Sequence, residues 1–206
     1  MKTQFKAGQY SLKEENVKHL FMAAKNTRDS LIAKSLYYAA LRRFEACNLQ
    51  IENVDTENGR MYIEGKGNKI RIIPVKQLYP EYFHELMMFI GNRKVGYVFT
   101  NSQNKRLTTM RINQIVAKMG KEAKLNNPNP GLKYINPHSL RHSQARHLKN
   151  RGLPIEFIQN YLGHSSFKTT MDIYGTLGIQ DMENIAIMAN ENKIISINKE
   201  EPKQLQ

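Results

Sequence analysis

His138 and Arg141 stand three apart in "PHSLRHSQARH". On a helix that spacing puts both side chains on one face. An imidazole beside a guanidinium suits a phosphate. The guanidinium grips two oxygens as a fork, and the imidazole donates a hydrogen bond or moves a proton. Further on, "YLGHSS" carries His164, and Tyr174 lies ten positions after it. A phenol with an ordinary pKa of about 10 needs cationic neighbours to ionise at neutral pH, and only then is it a good nucleophile. Two upstream sites add cations: Arg42 and Arg43 in "AALRRFEACNL", and Lys66 between two glycines in "EGKGNKIR". Taken singly, each group is most simply a solvated face, a helix cap or a core aromatic.

The elements that must position them read as mainly helical. Ser11 and Glu14 have the spacing of a capping box, opening a helix to about Ala24. A second helix is expected over about Ser30–Leu41, and a short one over Arg42–Leu49. The texture then changes. "GRMYIEGKGNKIRIIPV" reads as two strands, Met61–Glu64 and Lys69–Val75, around a glycine-rich turn. Arg60–Lys76 holds five basic residues against one acid, Glu64, so this hairpin could lie along a DNA groove. Helical pattern returns at about Tyr79–Ile90, and "YVFT" is a short extended piece. Thr108 is placed to cap a helix to about Leu125, and "NNPNPG" at 126–131 is a loop. Pro137 suits the first turn of a helix that Gly152 ends. Pro154 opens another, stopping near Gly163. A further short helix carries Tyr174, and a weakly amphipathic one runs from about Ile179 into a polar tail.

Composition narrows the partners. The chain has 206 residues, enough for one good-sized domain, and 40% are apolar. Thirty-one Lys and Arg oppose 18 Asp and Glu, a formal charge of +13 that favours polyanions, nucleic acid first. No apolar run approaches the roughly 18 residues of a membrane span, and no signal peptide opens the chain. The single cysteine, Cys47, excludes an internal disulfide and fits a reducing cytoplasm. No glycine loop followed by Lys-Ser or Lys-Thr appears, and from 137 to 177 the acids are only Glu156 and Asp172. Neither a nucleotide cofactor nor a metal site is therefore expected.

In this order, Arg42, Lys66, His138 with Arg141, His164 after Leu-Gly, and Tyr174 resemble the catalytic domain of the tyrosine recombinases, the phage integrase family. The resemblance covers about Tyr10 to Leu177, and "HSLRHS…LGHSS…TTMDIY" is its most specific part. It implies a fold that is mainly α with a small antiparallel sheet, the DNA breaking-rejoining fold. It also implies a division into an N-terminal extension (1–9), a catalytic domain (10–178) and a C-terminal helix and tail (179–206) that is a candidate protomer contact. The family usually has Thr-Gly before its first arginine, where Ala39-Ala40 stand here, and Arg43 is the rival to Arg42. Glu45, three after Arg42, is where the supporting acid is expected.

The implied activity is site-specific recombination on double-stranded DNA, by four protomers around two duplexes. Tyr174 attacks the phosphodiester, giving a 3′-phosphotyrosyl link and a free 5′-hydroxyl. Arg42, Arg141 and the two histidines meet the charge of the phosphorane, His138 can also take the phenol proton, and Lys66 is the general acid for the departing oxygen. Bond energy is kept in the link, so neither ATP nor metal is needed. Two other readings stand beside it. "IEFIQNYLGHSSFKTTMDIY" has the look of a helix-turn-helix regulator, and a type IB topoisomerase shares the chemistry without pairing sites.

Overall fold

In a computed structural model, residues 10–65 and 69–163 are described. Eight helices and one three-stranded sheet occur among them, in the order α1 (Glu14–Met22), α2 (Thr27–Tyr38), α3 (Arg43–Asn48), β1 (Val54–Asp55), β2 (Arg60–Glu64), β3 (Ile70–Ile73), α4 (Val75–Leu78), α5 (Pro80–Ile90), α6 (Thr109–Glu122), α7 (Pro137–Asn150) and α8 (Ile155–Leu162). The expected class, mainly α with a small antiparallel sheet, is the observed one.

α2 is the centre of the core. Leu31, Ile32, Ala33 and Leu36 are fully buried, and the helix packs against α1, α3, α5, α6 and α7. It begins three residues earlier than the pattern suggested, because Asn26 caps it by accepting from the Asp29 N–H at 2.9 Å. It also ends earlier, at Tyr38. Ala39, Ala40 and Leu41 leave the helix but stay fully buried, with Ala40 at φ 46°. Left-handed backbone costs a residue with a Cβ roughly 1–2 kcal/mol. The turn therefore keeps a backbone shape that glycine adopts more easily.

The capping box at Ser11 does not form. α1 starts at Glu14 with Lys13 at its N-cap and no side-chain cap. A tertiary contact wins instead: the Leu12 N–H donates to Ser143 Oγ on α7 at 2.8 Å, and Leu12 is buried. The sheet has order β1-β2-β3, antiparallel throughout, with Val54 opposite Met61 and Ile63 opposite Arg71. Two strands were expected; β1, two residues long, is the third. Its turn to β2 uses Gly59 at φ 67°, where a Cβ would stand 2.2 Å from Lys76 Cβ. The helix expected over about Tyr79–Ile90 is α5, with Pro80 in its first turn, and a separate short helix, α4, precedes it. "YVFT" makes isolated bridges, Gln50 with Tyr97 and Thr100 with Arg106.

The helices that frame the site follow their sequence signals. Thr108 caps α6 through the Arg111 N–H at 3.1 Å. Asn136 caps α7 through the Ser139 N–H at 3.0 Å, with Pro137 in its first turn and Gly152 at φ 76° beyond its end. Gly163, at φ 62°, closes α8. The helices expected around Tyr174 and after Ile179 lie outside the described residues.

Candidate active site

Glu45 is the hub. It sits in the first turn of α3 with its side chain 3% exposed, and three arginines from three elements reach it. Arg71 on β3 holds it as a fork, Nη1 to Oε1 at 2.8 Å and Nη2 to Oε2 at 2.7 Å. Arg42 donates from Nη1 at 2.8 Å and from its own backbone N–H at 2.7 Å. Arg141 on α7 stands 3.9 Å away. Burial pushes the Glu45 carboxyl up, but the Arg71 hydrogen bonds and charge, then Arg141 and the Arg42 N–H, outweigh it and hold the group at about 2.

The same arginines gather the C-terminal end of α8. Arg71 Nε donates to the Tyr161 carbonyl at 3.0 Å, Arg141 Nη2 to Leu162, and Arg42 Nη2 to Gly163 at 3.1 Å. Helix-end carbonyls lack intrahelical partners and carry the negative end of the dipole, so cations are their natural caps. A Cβ on Gly163 would meet Arg71 Cδ at 2.8 Å, so glycine lets the helix end come this close. The residue after Gly163 is His164. Arg141 also donates to the carbonyl of Ala40, the left-handed turn residue.

Arg42, Arg43, His138 and Arg141 line one cleft, with Asn113 and Asn136 on its wall. Arg42 pairs with Glu45 at 2.8 Å. Arg141 is 5% exposed; burial, then Arg42 and Arg71, press its pKa down to about 9 against the pull of Glu45, which still leaves it charged at neutral pH. His138 opens onto the cleft, and its ring meets that of His142 nitrogen to nitrogen, Nε2 to Nε2. Burial, then Arg141 and Arg42, lower the His138 pKa. Burial, then His138 and Arg141, lower His142 to about 4. Both rings are neutral at pH 7.

The structure thus brings Arg42, His138 and Arg141 together. Lys66, His164 and Tyr174 lie outside the described residues. Lys66 follows Gly65, whose N–H donates to the Lys69 carbonyl at 2.8 Å and closes the hairpin. Tyr161 is poorly placed to attack: it is 2% exposed, donates its hydroxyl to the Tyr38 carbonyl, and burial raises its pKa. Cys47 is a buried thiol with its pKa raised by burial.

Arg71 was missed from sequence. "IRII" invites placing Ile70 and Ile72 inward, yet they are 65% and 53% exposed. The inward positions are Arg71, opposite buried Ile63, and Ile73, opposite buried Met61. Alternation was the available signal, and the guanidinium overrides its usual reading because Glu45 waits beneath it.

Stability should fall with acid in two stages. His138, His142 and His147 all have pKa values depressed below 6.5, so their contribution is present above 6.5 and is lost as pH falls through the folded values. Glu45, lowered from 4.5 to about 2, contributes roughly 3 kcal/mol above 4.5 that is lost below it. Urea midpoints from pH 7 to 3.5 should show both stages, and Glu45→Gln should remove the second while lowering stability overall. A midpoint flat from pH 4.5 to 3.5 in the parent chain would contradict this.

The phage integrase family model matches residues 10–178. The tyrosine recombinase XerA of Pyrococcus horikoshii is 37% identical over 166 residues, 78% of this chain and 54% of the relative. XerA of Pyrococcus furiosus is 35% identical over 188 residues, 87% of this chain and 62% of the relative. Among solved structures, XerA recombinase superposes with TM-score 0.69 at 30% identity, covering 87% of this chain and 64% of that one. XerH recombinase bound to its difH substrate before cleavage gives 0.65 at 25%, covering 89% and 55%. The chain spans between half and two thirds of the length of these relatives.

Proposed function

The chain belongs to the phage integrase family, and on that premise we propose that it is a site-specific DNA strand-transfer enzyme that cuts and rejoins duplex DNA through a bond to Tyr174. One observation carries the reading: two arginines, Arg42 and Arg141, are fixed by one buried carboxylate and present a cleft beside His138. Cations held before the substrate arrives stabilise the phosphorane without reorganising. Arginine suits this better than lysine, because its fork can bind carboxylate or carbonyl with one edge and phosphate with another.

The steps balance as follows. The Tyr174 oxygen gives its proton to solvent water and bonds to phosphorus, and the bond from phosphorus to the 5′-oxygen breaks. Lys66 gives that oxygen its proton. Arg42, Arg141, His138 and His164 hold the non-bridging oxygens. Reversal by a different 5′-hydroxyl completes the exchange. The link conserves the bond energy, so ATP is not consumed, and the guanidiniums supply charge stabilisation, so no divalent metal is required.

The partner is double-stranded DNA, a reading that the charge of +13 and the DNA-bound XerH neighbour support. The working assembly is a tetramer on paired sites, with 179–206 as the contact between protomers. No helix among the described residues is long and apolar enough to cross a membrane.

DNA binding should weaken steeply with salt. About six phosphate contacts give a slope of log K against log salt near −5. Fluorescence anisotropy from 50 to 200 mM salt measures it; a nearly flat curve would remove DNA as the partner. The activity itself is tested with a nicked suicide duplex in EDTA, followed by denaturing electrophoresis. A covalent protein–DNA band supports the proposal. Binding without a band returns the regulator reading, and supercoil relaxation without joining of two sites returns the topoisomerase reading.

A further inference from the structure

His142 has no role in the scheme above, yet it touches an imidazole that has one. His138 and His142 are one turn apart on α7, ring centroids 3.9 Å apart with planes at 89°, and their Nε2 atoms meet. Two neutral imidazoles meeting nitrogen to nitrogen share one N–H, so one ring donates and the other accepts. The tautomer of each ring follows from which does which.

The other nitrogen of His142 decides it. Nδ1 of His142 is buried and has no hydrogen-bond partner among the described residues. If His138 donated, His142 would have to carry its proton on Nδ1, leaving a buried N–H unpaired. If His142 donates, Nδ1 is a bare lone pair. Buried orphan N–H groups are rarer in proteins than under-satisfied acceptors.

We infer that His142 is a positioning residue: its Nε2–H donates to Nε2 of His138 and so fixes the His138 proton on Nδ1. His138 then offers the cleft an N–H donor and not a proton acceptor. Its role is to bind a non-bridging phosphate oxygen, and it is not the base for Tyr174. This consequence rests on the proposed strand-transfer chemistry; the tautomer itself does not.

The experiment is imidazole nitrogen NMR on the 15N-labelled full chain at pH 7.5, with nicked-duplex cleavage measured in parallel. The parent chain should show the His138 proton on Nδ1. His142→Gln keeps an N–H near the lost Nε2–H and should keep that tautomer, with cleavage close to the parent. His142→Phe removes the donor, so His138 should shift toward Nε2–H and cleavage should fall ~10- to 100-fold, the range for loss of a residue that orients an active imidazole. A parent spectrum with the His138 proton on Nε2 overturns the inference, whether or not the Phe variant folds. Equal losses in the Gln and Phe variants overturn it too. A parent chain that forms no DNA adduct but shows Nδ1–H on His138 would instead sink the strand-transfer proposal and leave the tautomer standing.

Discussion

Tyr174→Phe is expected to abolish the covalent protein–DNA product while changing duplex binding little. The substitution removes one oxygen and keeps the ring, so packing is preserved and only the nucleophile is lost. The effect should be total because the core tyrosines are poor substitutes. Tyr161, thirteen positions upstream, is tied to the Tyr38 carbonyl inside the core with its pKa raised by burial. Tyr37 and Tyr82 are buried as well and their pKa values are also pushed up. Denaturing gels on a nicked duplex and anisotropy on an intact one separate the two effects. A Phe variant that still forms an adduct would show that another group attacks.

Lys66→Ala is expected to slow cleavage by about 10² to 10⁴, the range for loss of a positioned proton donor. A duplex with sulfur in place of the scissile 5′-oxygen has a leaving group that needs no proton, so on it Lys66→Ala should recover most of the lost rate. An arginine variant should not recover, because the charge on the phosphorane is still unmet. Arg42 is the better comparison than Arg141. Arg42 has 42% of its side chain exposed, whereas Arg141 is buried and holds the carbonyls of Ala40 and Leu162. Truncating Arg141 would leave those acceptors and Glu45 short of a partner, a fold defect of about 3–5 kcal/mol mixed with the chemical one. If Lys66→Ala and Arg42→Ala stay equally slow on the sulfur substrate, the proton comes from elsewhere, and Lys69 on the same hairpin is the first residue to substitute.

What was legible in the sequence was local. Thr108, Pro137 with Gly152, and Pro154 with Gly163 mark the ends of α6, α7 and α8 because caps and breakers act within a turn of themselves. Arg42 could be paired with Glu45 because they lie three apart on the chain. The misses are long-range. The start of α1 is set by a bond from Leu12 to Ser143, 131 positions away. Arg71 meets Glu45 across 26 positions and Arg141 meets Ala40 across 101, and strand alternation can turn Arg71 inward but cannot name its partner. The His142 contact is local, one turn from His138, but both histidines read equally well as a solvated face. β1 is too short for any alternation to show.

The account's central claim is that the phenol of Tyr174 carries the 3′ end of the cut strand. The most direct measurement traps the protein on a nicked duplex, digests the complex, and maps the nucleotide-bearing peptide by mass spectrometry, with the freed end tested for phosphorylation by a 5′-kinase. The account predicts the nucleotide on Tyr174 and a labelled 5′-hydroxyl. A nucleotide on any other residue, or a 5′-phosphate on the released strand, would contradict it.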